Sequence, residues 1–496
     1  MKNIRSIWDE TIEQYSDLTA FRWLVKREIQ EKTYGEVNEL VKKVRTELEE
    51  NDFVGAHIAL IGGSSPEWVE AYLGIVTGVN VAVPLDASLP DEELIELLNR
   101  SDSVALFLAP AKEALKEKVI AECHKIKKIY MLTDEVLSGF DDVDYDVPGA
   151  FEYEIATIIY TSGTTGKSKG VMLTQENLSE NVRSVEYSAA PGCVVLSVLP
   201  IHHAYCLVMD YLKTMSLGCT ICINDSFMHM VRNMGIFKPE VMLMVPLMIE
   251  TIYKKVSALG DKAKEVFGGN LRTIFTGGAH LDPFYIDKFD EYGVTILEGY
   301  GMSECSPVIT SNSPEDHRKG SIGRPLKNVE ISFKDGEILV RGSSVMKGYY
   351  KMPQETAAAL EDGWLHTGDK GYLDEDGYLF INGRVKNLII MSNGENVSPE
   401  EIENKLALNP LIAEVIVTGE NNGLTARVYP DLDEAEKRNL SSEELEKAIW
   451  EFIGEYNNSQ PTYRYVTALV VRKTPFIRNS TGKIKRQEAT KESAVA

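Results

Sequence analysis

The chain contains no apolar run near the roughly 18 residues that cross a bilayer. Its opening stretch meets Trp8, Asp9 and Glu10 too early for a secretory leader. Those absences predict a cytoplasmic protein with no membrane span. Cysteine is scarce, with six in 496 residues and no framework spacing. Cys219-Thr220-Ile221-Cys222 has the spacing of half a metal or redox motif, but it sits in a strand-like apolar stretch without a second such pair. Buried thiols are its simpler reading. Basic residues are outnumbered, 52 Lys and Arg against 75 Asp and Glu, giving a formal net charge of −23. That balance excludes a general nucleic-acid surface, because phosphate-backbone binding needs clustered cations. Any anionic ligand must therefore be held by local positive groups. Internal repeats and low-complexity segments are also missing.

What is present is an ordinary globular composition, long enough for about three average domains or for one large and one small. From His57 onward strand-like and helical runs alternate: His57 to Ile61, Pro66 to Thr77, Val79 to Val83, Asp91 to Arg100 and Val104 to Leu108. The alternation predicts an α/β fold with mainly parallel sheets.

The most informative stretch is Thr161-Ser162-Gly163-Thr164-Thr165-Gly166-Lys167-Ser168-Lys169-Gly170, after the apolar run Ile155 to Tyr160. Glycines let such a loop wrap closely, N–H groups and hydroxyls donate to phosphate oxygens, and Lys167 and Lys169 bring charge. A flexible connector is the plain alternative. A Walker loop is excluded, since Thr161 stands where that pattern needs glycine. Thr174 is a predicted cap for the helix that follows.

Further stretches carry candidate chemistry. Leu199-Pro200-Ile201-His202-His203-Ala204-Tyr205 places histidines beside apolar segments, where a structural role is as natural as a functional one. Thr276-Gly277-Gly278-Ala279 follows a strand, Leu271 to Phe275, with residues small enough for a flat ring to approach, and Glu298-Gly299-Tyr300-Gly301-Met302-Ser303-Glu304 is a second stretch that pairs with it. Asp369, after the turn-like Thr367-Gly368, suits acceptance of two hydroxyls. Near the C-terminus, Ser480-Thr481-Gly482-Lys483-Ile484-Lys485-Arg486 reads on charge alone as a basic solvated loop. Phe237-Lys238-Pro239 to Tyr253, with Met242, Met244 and Met248, predicts a strand and a core helix, or an adaptable apolar wall for a flexible ligand.

Together these stretches resemble the acyl-adenylate-forming superfamily of acyl-CoA synthetases, peptide-synthetase adenylation domains and luciferases, over almost the whole chain. Ser168 departs from that family's usual proline, and Ser303 from its usual threonine. The resemblance implies a large N-terminal domain, residues 1–384, of parallel-sheet α/β subdomains, and a small mobile α+β domain, residues 385–496, pivoting at Lys386. It makes Thr161 to Lys167 and Lys169 the phosphate loop. Gly278, Ala279 and Glu298 to Ser303 become the AMP site, with Tyr300 stacking on adenine and Ser303 contacting the α-phosphate. Thr161 and Glu304 are implied as magnesium ligands, Asp369 and Arg384 as ribose contacts, and His203 as a carboxylate-positioning group. Lys483 becomes the adenylation lysine, and Asn393 and Gly394 border the CoA tunnel.

The reaction so implied joins a carboxylate to the α-phosphate of ATP, releasing pyrophosphate, and then passes the acyl group from AMP to the thiol of CoA. At about 4 Å each pair of reacting unit charges repels by roughly 4 kcal/mol at an effective dielectric of 20, so cations must intervene. Resemblance within the family favours a medium- or long-chain fatty acid. The alternatives are an enzyme loading an acyl or aminoacyl group onto a carrier protein, and a non-catalytic AMP-binding module. Lys483 and Glu304, whose loss would mark such a module, are both present.

Overall fold

The computed structural model describes residues 2–141, 149–151, 153–161, 168–187, 189–391, 395–420, 423–478, 484–486 and 489. The fold is α/β, with a large N-terminal domain of several sheets and a smaller C-terminal domain. A seven-stranded sheet runs in the order Gly348–Tyr349, Lys169–Thr174, Ile155–Thr161, Val81–Leu85, His57–Ile61, Ala105–Leu108 and Lys128–Met131. Its pairings are parallel from Ile155–Thr161 outward to Lys128–Met131. A nine-stranded sheet is parallel through Thr19–Val25, Thr220–Ile223, Val194–Ser197, Val241–Met244, Thr273–Thr276 and Thr295–Gly301.

Helices are set by local signals. Ser65 caps Pro66–Val76 by accepting from the Trp68 amide, with Pro66 at the first turn where no N–H is needed. This helix is buried on every side, because the two large sheets share one core around it. Trp68 and Tyr72 stack there with centroids 5.6 Å apart. Burying each such side chain contributes on the order of 2 kcal/mol. Thr174 and Asn177 form a capping box at the start of Gln175–Ser184, as the sequence predicts.

Two parts of the large domain depart from the expected parallel order. Lys169–Thr174 returns antiparallel on Ile155–Thr161, so the glycine-rich loop joins a hairpin. A third sheet, Val329–Lys334, Glu337–Gly342, Trp364–Leu373, Leu360–Glu361 and Leu379–Arg384, is wholly antiparallel rather than a parallel-sheet subdomain. Two-residue turns such as Asp335-Gly336 leave no room for the crossover that parallel pairing demands.

The small domain is α+β. Its sheet, Ile412–Glu420, Gly423–Pro430 and Val466–Val471, packs with the helices Pro399–Leu406 and Ser442–Asn458 around a separate core that includes Ile402, Val417, Val428 and Ile449. Lys405 Nζ reaches Asp282 Oδ2 of the large domain at 2.9 Å. All six cysteines are free and buried. Among the described residues no helix is long and apolar enough to cross a membrane.

Candidate active site

Three strands of the two large sheets end in the predicted loops. Ile155–Thr161 stops at Thr161, Thr273–Thr276 leads into Gly277 and Gly278, and Thr295–Gly301 ends in the Tyr300-Gly301 motif. Carboxyl ends of parallel strands are where such sheets present ligand-binding backbone. A very close backbone approach occurs at Gly301, where a Cβ would lie 2.0 Å from the Pro307 carbonyl oxygen. Only glycine lets the motif fold back on itself there, with the Met302 amide donating to that same oxygen.

Asp369, Tyr300 and Arg384 meet in one cluster. Asp369 and Arg384 face each other across antiparallel strands, and Arg384 Nε donates to Asp369 Oδ1 at 2.8 Å. The Tyr300 hydroxyl donates to Asp369 Oδ2 at 2.7 Å. Asp369 is 5% exposed, so its negative charge is held by a cation and a phenol rather than by bulk water. Burial, followed by the nearby carboxylate, keeps the Tyr300 phenol well above its ordinary range and therefore a donor.

A second cluster surrounds Glu304. The Tyr349 hydroxyl donates to Glu304 Oε1 at 2.8 Å, and the Lys169 ammonium lies 4.6 Å from the centre of the same phenol ring. Tyr349 sits on Gly348–Tyr349, which pairs with the strand leaving the glycine-rich loop. From below, Asn181 Nδ2 donates to the carbonyls of Val308 at 2.8 Å and Cys305 at 3.2 Å, fixing the turn after Glu304. Arg100 Nη2 donates to the Ser168 carbonyl at 2.7 Å. Tyr349, Asn181 and Arg100 escape sequence reasoning, since each acts on a partner tens of residues away.

Glu298 is turned inward. Its carboxyl is buried, and Oε2 has no hydrogen-bond partner among the described residues. Burial pushes it up to about 8 despite the Gly320 and Leu281 amides that favour its ionised form. With the folded value above the unfolded 4.5, its contribution is fully present below about 4.5 and is lost as pH rises through about 8. Glu298→Gln should therefore reduce the fall in stability between pH 5 and pH 8 by up to about one proton's worth, roughly 1.4 kcal/mol per pH unit. Thermal midpoints of the two proteins across that range check this, and an unchanged slope would mean the native carboxyl is ionised.

His203 directly precedes a helical stretch that begins at Ala204 and whose winding over Cys206–Lys213 is π-helical, a distortion common at functional sites. The rings of His202 and His203 lie 4.2 Å apart, and His202 Nε2 is 3.5 Å from Asp86 Oδ2. Burial lowers the His202 pKa more than Asp86 raises it. Met242, Met244 and Met248 are buried on the predicted strand and helix, Val241–Met244 and Pro246–Val256. Gly278 and Ala279 are exposed at their strand end. Ser303 and Glu304 form a short 3-10 turn with Cys305. Ser162 to Lys167, Asn393, Gly394 and Lys483 lie outside the described residues. Lys386 is in the turn Val385–Asn387, directly after Arg384.

Residues 8–350 match the family model of the AMP-binding enzymes, and residues 386–494 that of the AMP-binding enzyme C-terminal domain. The chain belongs to the AMP-binding enzyme family. A long-chain-fatty-acid–CoA ligase of Mycobacterium bovis is 27% identical over 428 residues, covering 74% of this chain and 71% of that protein. An oxalate–CoA ligase of Arabidopsis thaliana is 28% identical over 415 residues, 78% of this chain and 80% of that one. Among solved structures, an anthranilate CoA ligase bound to anthranoyl-AMP superposes with a TM-score of 0.87 at 20% identity, over 100% of this chain and 98% of that one. That likeness concerns the fold. The expected reaction class, an AMP-forming acid–thiol ligase, agrees with membership of the AMP-binding enzymes and with these relatives.

Proposed function

We propose that this AMP-binding enzyme activates a medium- or long-chain fatty acid to acyl-AMP and transfers it to CoA. The observation that carries the nucleotide part is the convergence of Tyr300 and Arg384 on Asp369. One buried acceptor with an aromatic ring and a guanidinium against it suits a ribose and its base. The Glu304 and Lys169 cluster suits the phosphates. Glu304 and Thr161 are hard oxygen donors of the kind magnesium takes alongside phosphates and waters, so the donor chemistry fits. When bound, the ion supplies neutralising charge to phosphate oxygens.

The chain's own groups supply the rest. Lys169, with the loop from Thr161, holds the phosphate chain. His203 orients the acid, and Lys483 sits between carboxylate and α-phosphate while the bond forms. We place the domain boundary at 384/385 and the pivot at Lys386. Rotation there exchanges Lys483 for the Asn393-Gly394 edge, along which the thiol enters.

The fatty-acid assignment is supported by the apolar character of the segments around His203 and Met242 and by the Mycobacterium bovis relative. Asp210 is the carboxyl within the first of those segments. Burial pushes it up to about 8, so it is largely neutral at pH 7 and adds little fixed charge. The test is pyrophosphate release across straight-chain acids of increasing length, dicarboxylic acids and aromatic acids, with and without CoA. Each buried methylene contributes about 0.8 kcal/mol, so kcat/KM should climb roughly fourfold per carbon and then level off. A flat response, or preference for a short diacid or an aromatic acid, removes the fatty-acid assignment. Release that proceeds with a carrier protein and not with CoA overturns the acceptor.

A further inference from the structure

Tyr349 lies outside the stretches singled out in the sequence, between the two groups assigned to the phosphate end of the nucleotide. Its hydroxyl donates to Glu304 Oε1 at 2.8 Å. Its ring lies under the Lys169 ammonium at 4.6 Å. Both contacts are fixed by backbone. Tyr349 pairs with Val171, two residues beyond Lys169 on the strand leaving the glycine-rich loop. The Met346 amide donates to the Glu304 carbonyl at 2.8 Å, and the Tyr350 amide to the Gly170 carbonyl at 2.8 Å. The segment 346–350 is thus bonded on one side to Glu304 and on the other to the loop's exit strand. The Tyr349 amide itself donates to the Thr356 hydroxyl at 2.9 Å, which leaves the side chain to serve the site.

We propose that Tyr349 is a positioning residue that sets the Glu304 carboxylate for a divalent cation and, with its ring, sets Lys169 for the phosphates of the same nucleotide. The inference rests on the metal reading of Glu304. The mechanism is specific to atoms. A hydrogen bond to Oε1 fixes the carboxylate plane and leaves Oε2 to face a cation. Outer-shell donors of this kind orient metal ligands, and their loss commonly costs ten- to a hundredfold in metal affinity. The ring acts separately, through cation–π attraction, which is worth a few-fold in binding at a partly exposed position.

The two parts separate by mutation. Tyr349→Phe keeps the ring under Lys169 and removes the hydroxyl. Tyr349→Leu removes both. The measurement is equilibrium ATP binding to the full-length protein by titration calorimetry, without divalent cation and across a series of magnesium and manganese concentrations. With Tyr349→Phe the half-saturating magnesium concentration should rise by about tenfold, while ATP affinity without metal stays within about twofold of wild type. Tyr349→Leu should show the same metal defect and, in addition, weaken metal-free ATP binding by a few-fold. Glu304→Gln is the reference for the underlying reading. If it leaves the magnesium dependence unchanged, the metal assignment of Glu304 fails. If Glu304→Gln shifts that dependence and Tyr349→Phe does not, the positioning role of Tyr349 is overturned. Equal metal-free ATP affinity in the Tyr349→Phe and Tyr349→Leu variants would overturn the role of the ring alone. Thermal midpoints measured alongside separate a binding defect from a loss of fold, and Tyr349→Phe, which differs from wild type by a single oxygen, keeps the test decisive should Tyr349→Leu not fold.

Discussion

Lys483→Ala should reduce acyl-AMP formation by at least a hundredfold while leaving the attack of CoA on preformed acyl-AMP largely intact. The expectation comes from charge. Adenylation brings a carboxylate against an α-phosphate, and at about 4 Å each pair of unit charges repels by roughly 4 kcal/mol at an effective dielectric of 20. In the proposed reaction Lys169 and the loop from Thr161 would serve the leaving pyrophosphate end, and Arg384 is engaged with Asp369. Lys483 is the motif lysine left to stand between the reacting anions. Its flanks are pinned to the small domain: Arg478 pairs with Ile484 and ion-pairs with Glu414 at 2.8 Å, and the Phe476 amide donates to Glu414 at 2.6 Å. In the proposed cycle, a lysine carried by that domain would serve one half-reaction and be withdrawn in the other. Isotope exchange of pyrophosphate into ATP reads the first step, and thioester formation from synthetic acyl-AMP reads the second. Lys386→Pro fixes φ at the pivot and should damage one step at least tenfold more than the other. Near wild-type exchange by Lys483→Ala, or equal damage to both steps by Lys386→Pro, would contradict the cycle.

The parts of this fold that were legible in the sequence are those set by neighbours in the chain. Asp91 to Arg100 and His57 to Ile61 announce themselves by apolar pattern and form the predicted helix and strand. The cap at Thr174 is written in the residues around it. The antiparallel sheet that carries Asp369 was not legible. Short turns such as Asp335-Gly336 separate its strands, and the alternation that distinguishes it from continuously buried parallel strands such as Val81–Leu85 is clear only in Trp364–Leu373. The ends of the site were readable and its supports were not. Tyr300, Glu304 and Asp369 stand in recognisable motifs. Tyr349, 45 residues beyond Glu304, and Asn181, 127 residues before Val308, act through contacts that no local pattern encodes. Gly383 lies between these cases. It sits in a motif, but the reason for glycine appears only in three dimensions, where a Cβ at φ +144° would lie 2.6 Å from the Ser398 hydroxyl of the small domain.

Asp369→Ala should weaken ATP binding by over a hundredfold, because on the proposed reading one side chain would serve the ribose as well as Arg384 and Tyr300. Its two oxygens accept from Arg384 at 2.8 Å and from Tyr300 at 2.7 Å. A carboxylate oxygen has room for a second donor, so the same two atoms can receive the ribose hydroxyls with the protein contacts in place. Hydrogen bonds to a charged acceptor are each worth roughly 1.5–3 kcal/mol, and two of them account for about 3 kcal/mol or more. Part of the loss would arise without any ribose contact, since the alanine leaves a guanidinium and a phenol without their acceptor. The two contributions separate when ATP is compared with its 2′,3′-dideoxy analogue. Wild-type protein should bind the analogue far more weakly than ATP, whereas Asp369→Ala should bind both about equally, the hydroxyls having no acceptor left to lose. Asp369→Asn, with one acceptor oxygen in place of two, should fall between them. If Asp369→Ala still prefers ATP over the dideoxy analogue as strongly as wild type does, the ribose is held elsewhere. Asp369 would then be a brace for Tyr300 and Arg384 alone.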